Sequence, residues 1–258
     1  MKTVKGRTKA MRIERYSATG NSFVVFDLVD QVIDDVEKSV MVLEHVGDRD
    51  GAIFVELFDG FYHMDYFNRD GKRANFCGNG ARTFLTFLKD FYNVSGDVVF
   101  STHSGQLLGK VYDTVSVQMP TPRFLDKVHI EAQMDNTRFD LRGASLKVGV
   151  SHIVLEVDAL DDELLLLAPE IRRIYHANVN FFRKSATKSF EIRTYEKGVE
   201  RETLSCGSGI TAVAYYTKYF LIGDPSLPDT LVAQARGGVL EVLFDLNGVF
   251  LSGGVVNE

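Results

Sequence analysis

From Ile13 the apolar positions come in short strand-like stretches, FVVFDLV, AIFVELF and YHMDYF, each broken by Asn, Asp or Gly. VSVQM closes this series and runs into Met119-Pro120-Thr121-Pro122. Two prolines at that spacing favour extended chain over helix or central strand, so a domain boundary is expected there. A different rhythm follows Cys77: Ala81, Phe84, Leu85 and Leu88 recur as one face of a helix. After Cys206 the stretch GITAVAYYTKYF is apolar on nearly every side, the mark of a helix buried all round. Ahead of Met11 the first ten residues hold four bases, no acid and almost nothing apolar, which predicts a flexible extension over 1–10.

The pattern occurs twice. Cys77-Gly78-Asn79-Gly80 and Cys206-Gly207-Ser208-Gly209 share C-G-x-G, stand half a chain length apart, and each opens a helical segment. Downstream, STHSGQLLGKVYDTVSVQM resembles AQARGGVLEVLFDLNGVFLSG, with Gly105 matching Gly238. Such a match implies a duplicated unit. Two sheet-rich halves, each wrapped on one buried helix, predict an α+β fold of two pseudo-symmetric domains. The expected boundaries are 11–120 and 121–249, with a C-terminal strand at about 250–258 as a candidate to complete the first domain.

Composition narrows the function. A hydrophobic share of 45% supports a packed core, and the 258-residue length suits a unit used twice. With 29 bases against 35 acids there is no basic stripe, so no nucleic-acid partner is expected. The longest run of large aliphatics is Leu164 to Leu167, too short for a membrane helix, and no membrane partner is expected. The basic N-terminus lacks the apolar stretch of a secretory signal, and two cysteines are too few for a disulfide scaffold; both predict a cytoplasmic protein. Six histidines without HExxH or CxxC spacing predict no metal, and the absence of GxxxxGK[ST] removes a P-loop enzyme. Gly207-x-Gly209-x-x-Ala212 fits a dinucleotide fingerprint loosely, but it begins with Cys and lacks a parallel βαβ frame.

The paired cysteines carry the chemistry. A cysteine just before a helix meets free backbone N–H groups and the positive end of the macrodipole, which lower its thiol pKa from ~8.5. The following glycines let a ligand carboxylate approach the same N–H groups. Two such motifs can place a sulfur on each face of one bound molecule. One removes a proton from carbon and the other returns one: racemisation or epimerisation by two bases, with no cofactor. The competing readings are two small buried residues, a structural disulfide, or a thiol–disulfide redox protein, whose cysteines are normally close as CxxC.

YFNRDGKRANFCGNGAR and YEKGVERETLSCGSG resemble the two signature segments of the diaminopimelate epimerase family, and ATGNSFVVFD and HANVNFF resemble further family segments. The resemblance runs from about Met11 to the C-terminus. It implies a PLP-independent isomerase that interconverts LL- and meso-diaminopimelate, a small amino-acid substrate of lysine and peptidoglycan biosynthesis. It further implies two similar domains, each a mixed or antiparallel β-roll around a central helix, with the active site in the cleft between them; a homodimer is left open. Carried over by position, Cys77 and Cys206 are the acid/base pair, and Gly78, Asn79, Gly207 and Ser208 hold the reacting carboxylate. Asn21, Asn68 and Asn178 are implied to bind the rest of the substrate. His152 and Glu196 are implied to support proton transfer, with Glu196 and Lys197 also at the distal end.

Two departures bear on selectivity. Many family members have Gly-Asn-Pro-His where this chain has Gly149-Val150-Ser151-His152, and Glu-Arg-Gly where it has Glu196-Lys197-Gly198. Lysine keeps the charge but loses the forked hydrogen bond of arginine to a carboxylate. A racemase of another amino acid, of the lysine or proline type, is therefore the alternative.

Overall fold

The structure is a computed structural model that describes residues 11–74, 76–134, 137–222 and 230–258. The extension expected over 1–10 lies outside the described residues. In the first half, β1 (Ile13–Ala18) and β2 (Asn21–Asp27) lead through α1 (Asp35–His45) to β3 (Gly51–Phe58), β4 (Phe61–Asn68) and the short β5 (Arg73–Ala74). The central helix α2 (Gly78–Tyr92) follows, then β6 (Gly96–Thr102), β7 (Gly105–Val111) and β8 (Val115–Met119). The second half opens with the long hairpin of β9 (Arg123–Met134) and β10 (Thr137–Val148). Next come β11 (Val150–Glu156), α3 (Asp162–Tyr175), β12 (Asn178–Ala186), β13 (Ser189–Glu196) and β14 (Arg201–Thr203). Its central helix α4 (Gly207–Tyr216) continues as a π-helical turn (Thr217–Ile222) and gives way to β15 (Thr230–Ala235), β16 (Gly238–Asp245), β17 (Gly248–Gly253) and β18 (Val255–Asn257).

The halves repeat pairing by pairing. Parallel β2–β3 is matched by β11–β12, and parallel β4–β6 by β13–β15. The meander β6–β7–β8 is matched by β15–β16–β17. Gly105 and Gly238, matched in sequence, each open the middle strand with positive φ (+112° and +135°), a conformation that costs glycine little. β17 pairs with β8 and joins the two halves into one sheet, while β18 returns to pair with β1, as β9 pairs with β10.

Helix α2 runs through the core because its apolar face meets the sheet along most of its length. Ala81, Phe84, Leu85, Phe87 and Leu88 are all fully buried. Each large side chain so buried contributes about 1.5–3 kcal/mol. Gly109 on β7 permits the approach, since a Cβ there would lie 2.6 Å from Leu85. In α4 the residues Ile210, Ala212, Val213 and Ala214 are fully buried in the same cluster. The outer helices cover separate, smaller cores: α1 with Met41 and Val42, α3 with Leu164, Ala168 and Ile171. That explains why AIFVELF reads as a continuous apolar run: β3 is covered by α1 on one face and the core on the other. The Leu164–Leu167 run belongs to α3, an amphipathic helix the strand-dominated pattern did not reveal. Among the described residues no helix is long and apolar enough to cross a membrane.

Candidate active site

Cys77 and Cys206 are the N-cap residues of α2 and α4, each with extended backbone before the first helical turn. The two helix starts meet end to end. A Cβ on Gly207 would lie 3.9 Å from the Cα of Gly78 and 3.8 Å from Oδ1 of Asn79. Both thiols are free and line one cleft of about 310 Å³ between the halves. The same cleft brings together Asn21, Asn68, Gly78, Asn79, Glu196, Gly207 and Ser208. The C-G-x-G glycines matter sterically here, because Gly207 also packs against Leu251, 2.7 Å from where a Cβ would sit.

Asn79 ties the halves together. Its Nδ2 donates to Asn21 Oδ1 and, at 2.9 Å, to Ser205 Oγ, while Ser205 donates to the Thr19 carbonyl at 2.6 Å. Its Oδ1 accepts from Arg82 Nη2 at 2.7 Å. Glu196 Oε1 accepts from Thr203 Oγ1 at 2.5 Å, and burial pushes its carboxyl above the usual range. His152 stands behind the cleft, fully buried: burial drives its pKa down to about 3, so the ring is neutral. Its Nε2 lies 3.0 Å from Ser208 Oγ, and that hydroxyl lies 3.5 Å from Cys206 Sγ.

Three observations bear on the expected roles. Lys197 is exposed and its Nζ donates to the His176 carbonyl at 3.2 Å, away from the cleft lining. Asn178, also outside the lining, accepts the Lys197 N–H on its Oδ1 at 2.8 Å. The third concerns the thiols. Burial pushes both upward, and the Glu196 carboxylate adds to the rise at each. The helix-start N–H groups do pull in the expected direction, Gly80 donating to Cys77 Sγ at 3.4 Å, but desolvation at the junction of two halves outweighs them. A raised pKa means less thiolate at any given pH. Alkylation of each cysteine by iodoacetamide is therefore expected to keep accelerating with pH through about 8.5. A plateau below pH 8, followed by peptide mass spectrometry, contradicts this.

A family model described as diaminopimelate epimerase matches residues 15–125. Over 93% of the chain, and 97% of the relative, the sequence is 36% identical to the diaminopimelate epimerase of Thermotoga maritima. The chain belongs to the diaminopimelate epimerase family. The Aquifex aeolicus diaminopimelate epimerase is 30% identical over 95% of each chain. Among solved structures, a PhzF-family phenazine biosynthesis protein of Bacillus anthracis superposes with a TM-score of 0.73 at 14% identity, covering 97% of both chains. A hydroxyproline epimerase of Agrobacterium vitis, with trans-4-hydroxy-L-proline bound, superposes at 0.65 and 14% identity, covering 96% of this chain and 90% of that one. These two share the fold.

The cleft of this epimerase-family chain also holds residues the sequence reading passed over. Tyr66, Asp50, Ser205 and Arg201 line it. Arg201 and Ser205 sit inside the YEKGVERETLSCGSG segment itself. Tyr66 lies in YHMDYF, where it faces Cys77 and burial raises its phenol strongly. Strand alternation could have placed Tyr66 on the helix-facing side; nothing local marks Asp50.

Proposed function

We propose that the protein is a cofactor-independent epimerase that interconverts LL- and meso-diaminopimelate, Cys77 and Cys206 acting on opposite faces of one α-carbon. The observation that carries this reading is the pair of cysteines capping two abutting helix N-termini in one cleft. One sulfur, as thiolate, takes the α-proton and becomes a thiol. The C–H electron pair stays on carbon and spreads into the α-carboxylate, and the opposite thiol then delivers its proton to the other face and is left as thiolate. The two transfers balance, and the thiols supply both. Backbone N–H groups of both helix starts face the carboxylate as its charge grows, an electrostatic stabilisation fixed in advance. General acid–base catalysis at ~10²–10⁴ per group is too small alone, so that fixed field carries much of the rate.

Diaminopimelate has an ammonium and a carboxylate at its far end. Asp50 and Arg201, both on the cleft lining, offer the complementary charges, whereas Lys197 does not reach it. Free paired thiols fit the reducing cytoplasm. The test is α-hydrogen exchange in D2O with LL-diaminopimelate, L-lysine and L-proline offered separately, followed by proton NMR. Loss of the α-proton signal with formation of the meso isomer is expected for the first alone. Exchange confined to lysine or proline would replace this reading by a racemase of that amino acid.

A further inference from the structure

Asn180 is fully buried on β12, two residues beyond Asn178. Its Nδ2 donates to the Ile153 carbonyl at 3.0 Å, and its Oδ1 accepts from Thr194 Oγ1 at 3.0 Å. A backbone carbonyl accepts only, so this contact fixes which end of the amide is which. The same Nδ2 lies 3.2 Å from Nδ1 of His152. Nδ1 must then accept, and the single proton of the neutral ring sits on Nε2. Nε2–H points at Ser208 Oγ, 3.0 Å away. Ser208, receiving that bond, has its own proton free for Cys206 Sγ at 3.5 Å.

We infer that Asn180 is a positioning residue: through His152 and Ser208 it keeps a hydroxyl donor aimed at the sulfur of Cys206. The chain of bonds has one direction, and its end favours thiolate over thiol, since a donor stabilises the charged form. The motif is built to admit it. A Cβ on Gly209 would lie 2.2 Å from Asn180 Oδ1, so the second glycine of CGSG makes room for this amide. Among the described residues the first half has no matching Asn–His–Ser relay. In the matching strand registers, His152, Asn180 and Thr194 correspond to Phe23, Ile53 and Tyr66. Phe23 and Tyr66 instead pack edge to face, 6.1 Å between ring centres, and the Tyr66 phenol hydrogen-bonds the Cys77 thiol directly. The two thiols are thus set up differently, Cys206 at the end of a polar relay and Cys77 directly against the Tyr66 phenol.

The inference rests on the acid/base reading of Cys206, but its test needs no turnover. Long-range 1H–15N spectra of the native protein are expected to show His152 as the Nε2–H tautomer. Asn180→Asp, a carboxylate that can only accept, is expected to draw the proton to Nδ1 and turn the Ser208 hydroxyl toward Nε2. Alkylation of Cys206 by iodoacetamide at pH 8 should then slow about tenfold, the worth of one hydrogen bond to a charged sulfur, while Cys77 is unchanged. Ser208→Ala should reproduce that loss, and the double variant should add nothing further. An Nδ1–H tautomer in the native protein overturns the inference. So do equal slowing of both thiols or additive losses in the double variant. The native spectrum and Ser208→Ala decide the matter even where Asn180→Asp fails to fold.

Discussion

Cys77→Ala and Cys206→Ala are each expected to abolish inversion, lowering epimerisation by about 10³-fold or more, because each removes one of the two proposed proton carriers, which cannot substitute for each other. Their phenotypes should nonetheless differ. With Cys206 gone, Cys77 still faces one side of the α-carbon and can exchange the hydrogen of the isomer that presents it there. The carbanion is then reprotonated on the same face, giving exchange without inversion. Cys206→Ala and Cys77→Ala should therefore wash deuterium into opposite isomers. NMR of LL- and meso-diaminopimelate incubated separately in D2O reads both rates. Inversion at the native rate in either variant would falsify the two-thiol scheme. Neither substitution should unfold the chain, since each removes one cap atom from a helix anchored in the core, α2 by Phe84, Leu85, Phe87 and Leu88 and α4 by Ile210 and Val213.

That much was legible because it is local. A C-G-x-G followed by 3.6-residue spacing reports a capped helix wherever it occurs, and its recurrence reports the duplication. The alternation of VSVQM and FVVFDLV reports strands, but not which neighbours they take: the parallel β2–β3 and β11–β12 pairings follow from the crossover helices α1 and α3. Lys197 and Asn178 show the limit at the site. Both belong to segments that resemble the family, yet a single turn satisfies the Lys197 N–H with Asn178 and directs the ammonium to His176. Asn180 shows the opposite case. It shares the strand face of Asn178 by period two, and only the packed second half reveals that its amide is spent on His152. The thiol pKa escapes the sequence for the same reason. The helix dipole is written in the motif, whereas the burial that outweighs it is produced by the other half of the chain.

Arg82→Met is expected to separate activity from stability, with opposite signs. The Arg82 side chain is fully buried on α2, and among the described residues its Nε and Nη1 have no partner. Nη2 alone is used, donating to Asn79 Oδ1 at 2.7 Å and Thr19 Oγ1 at 2.8 Å. Burial lowers its pKa to about 10, which leaves it charged at neutral pH, with Cys77 acting to hold the proton on. A buried ion lacking a counter-charge costs several kcal/mol, so an apolar side chain of similar length should leave stability unchanged or raise it. The gain that offsets this cost is functional. The guanidinium fixes the amide of Asn79, whose Nδ2 reaches Asn21 and Ser205, and it adds positive potential where the carbanion's charge develops. Its removal frees that amide to flip and strips the field. The expected loss in kcat/KM is about 10²–10³, the scale of one oriented donor at a developing anion. Thermal unfolding followed beside turnover checks both signs. Parallel loss of activity and melting temperature would instead make Arg82 a packing residue. Arg82→Lys should fall between, since lysine keeps the charge but lacks the planar fork that spans Asn79 and Thr19.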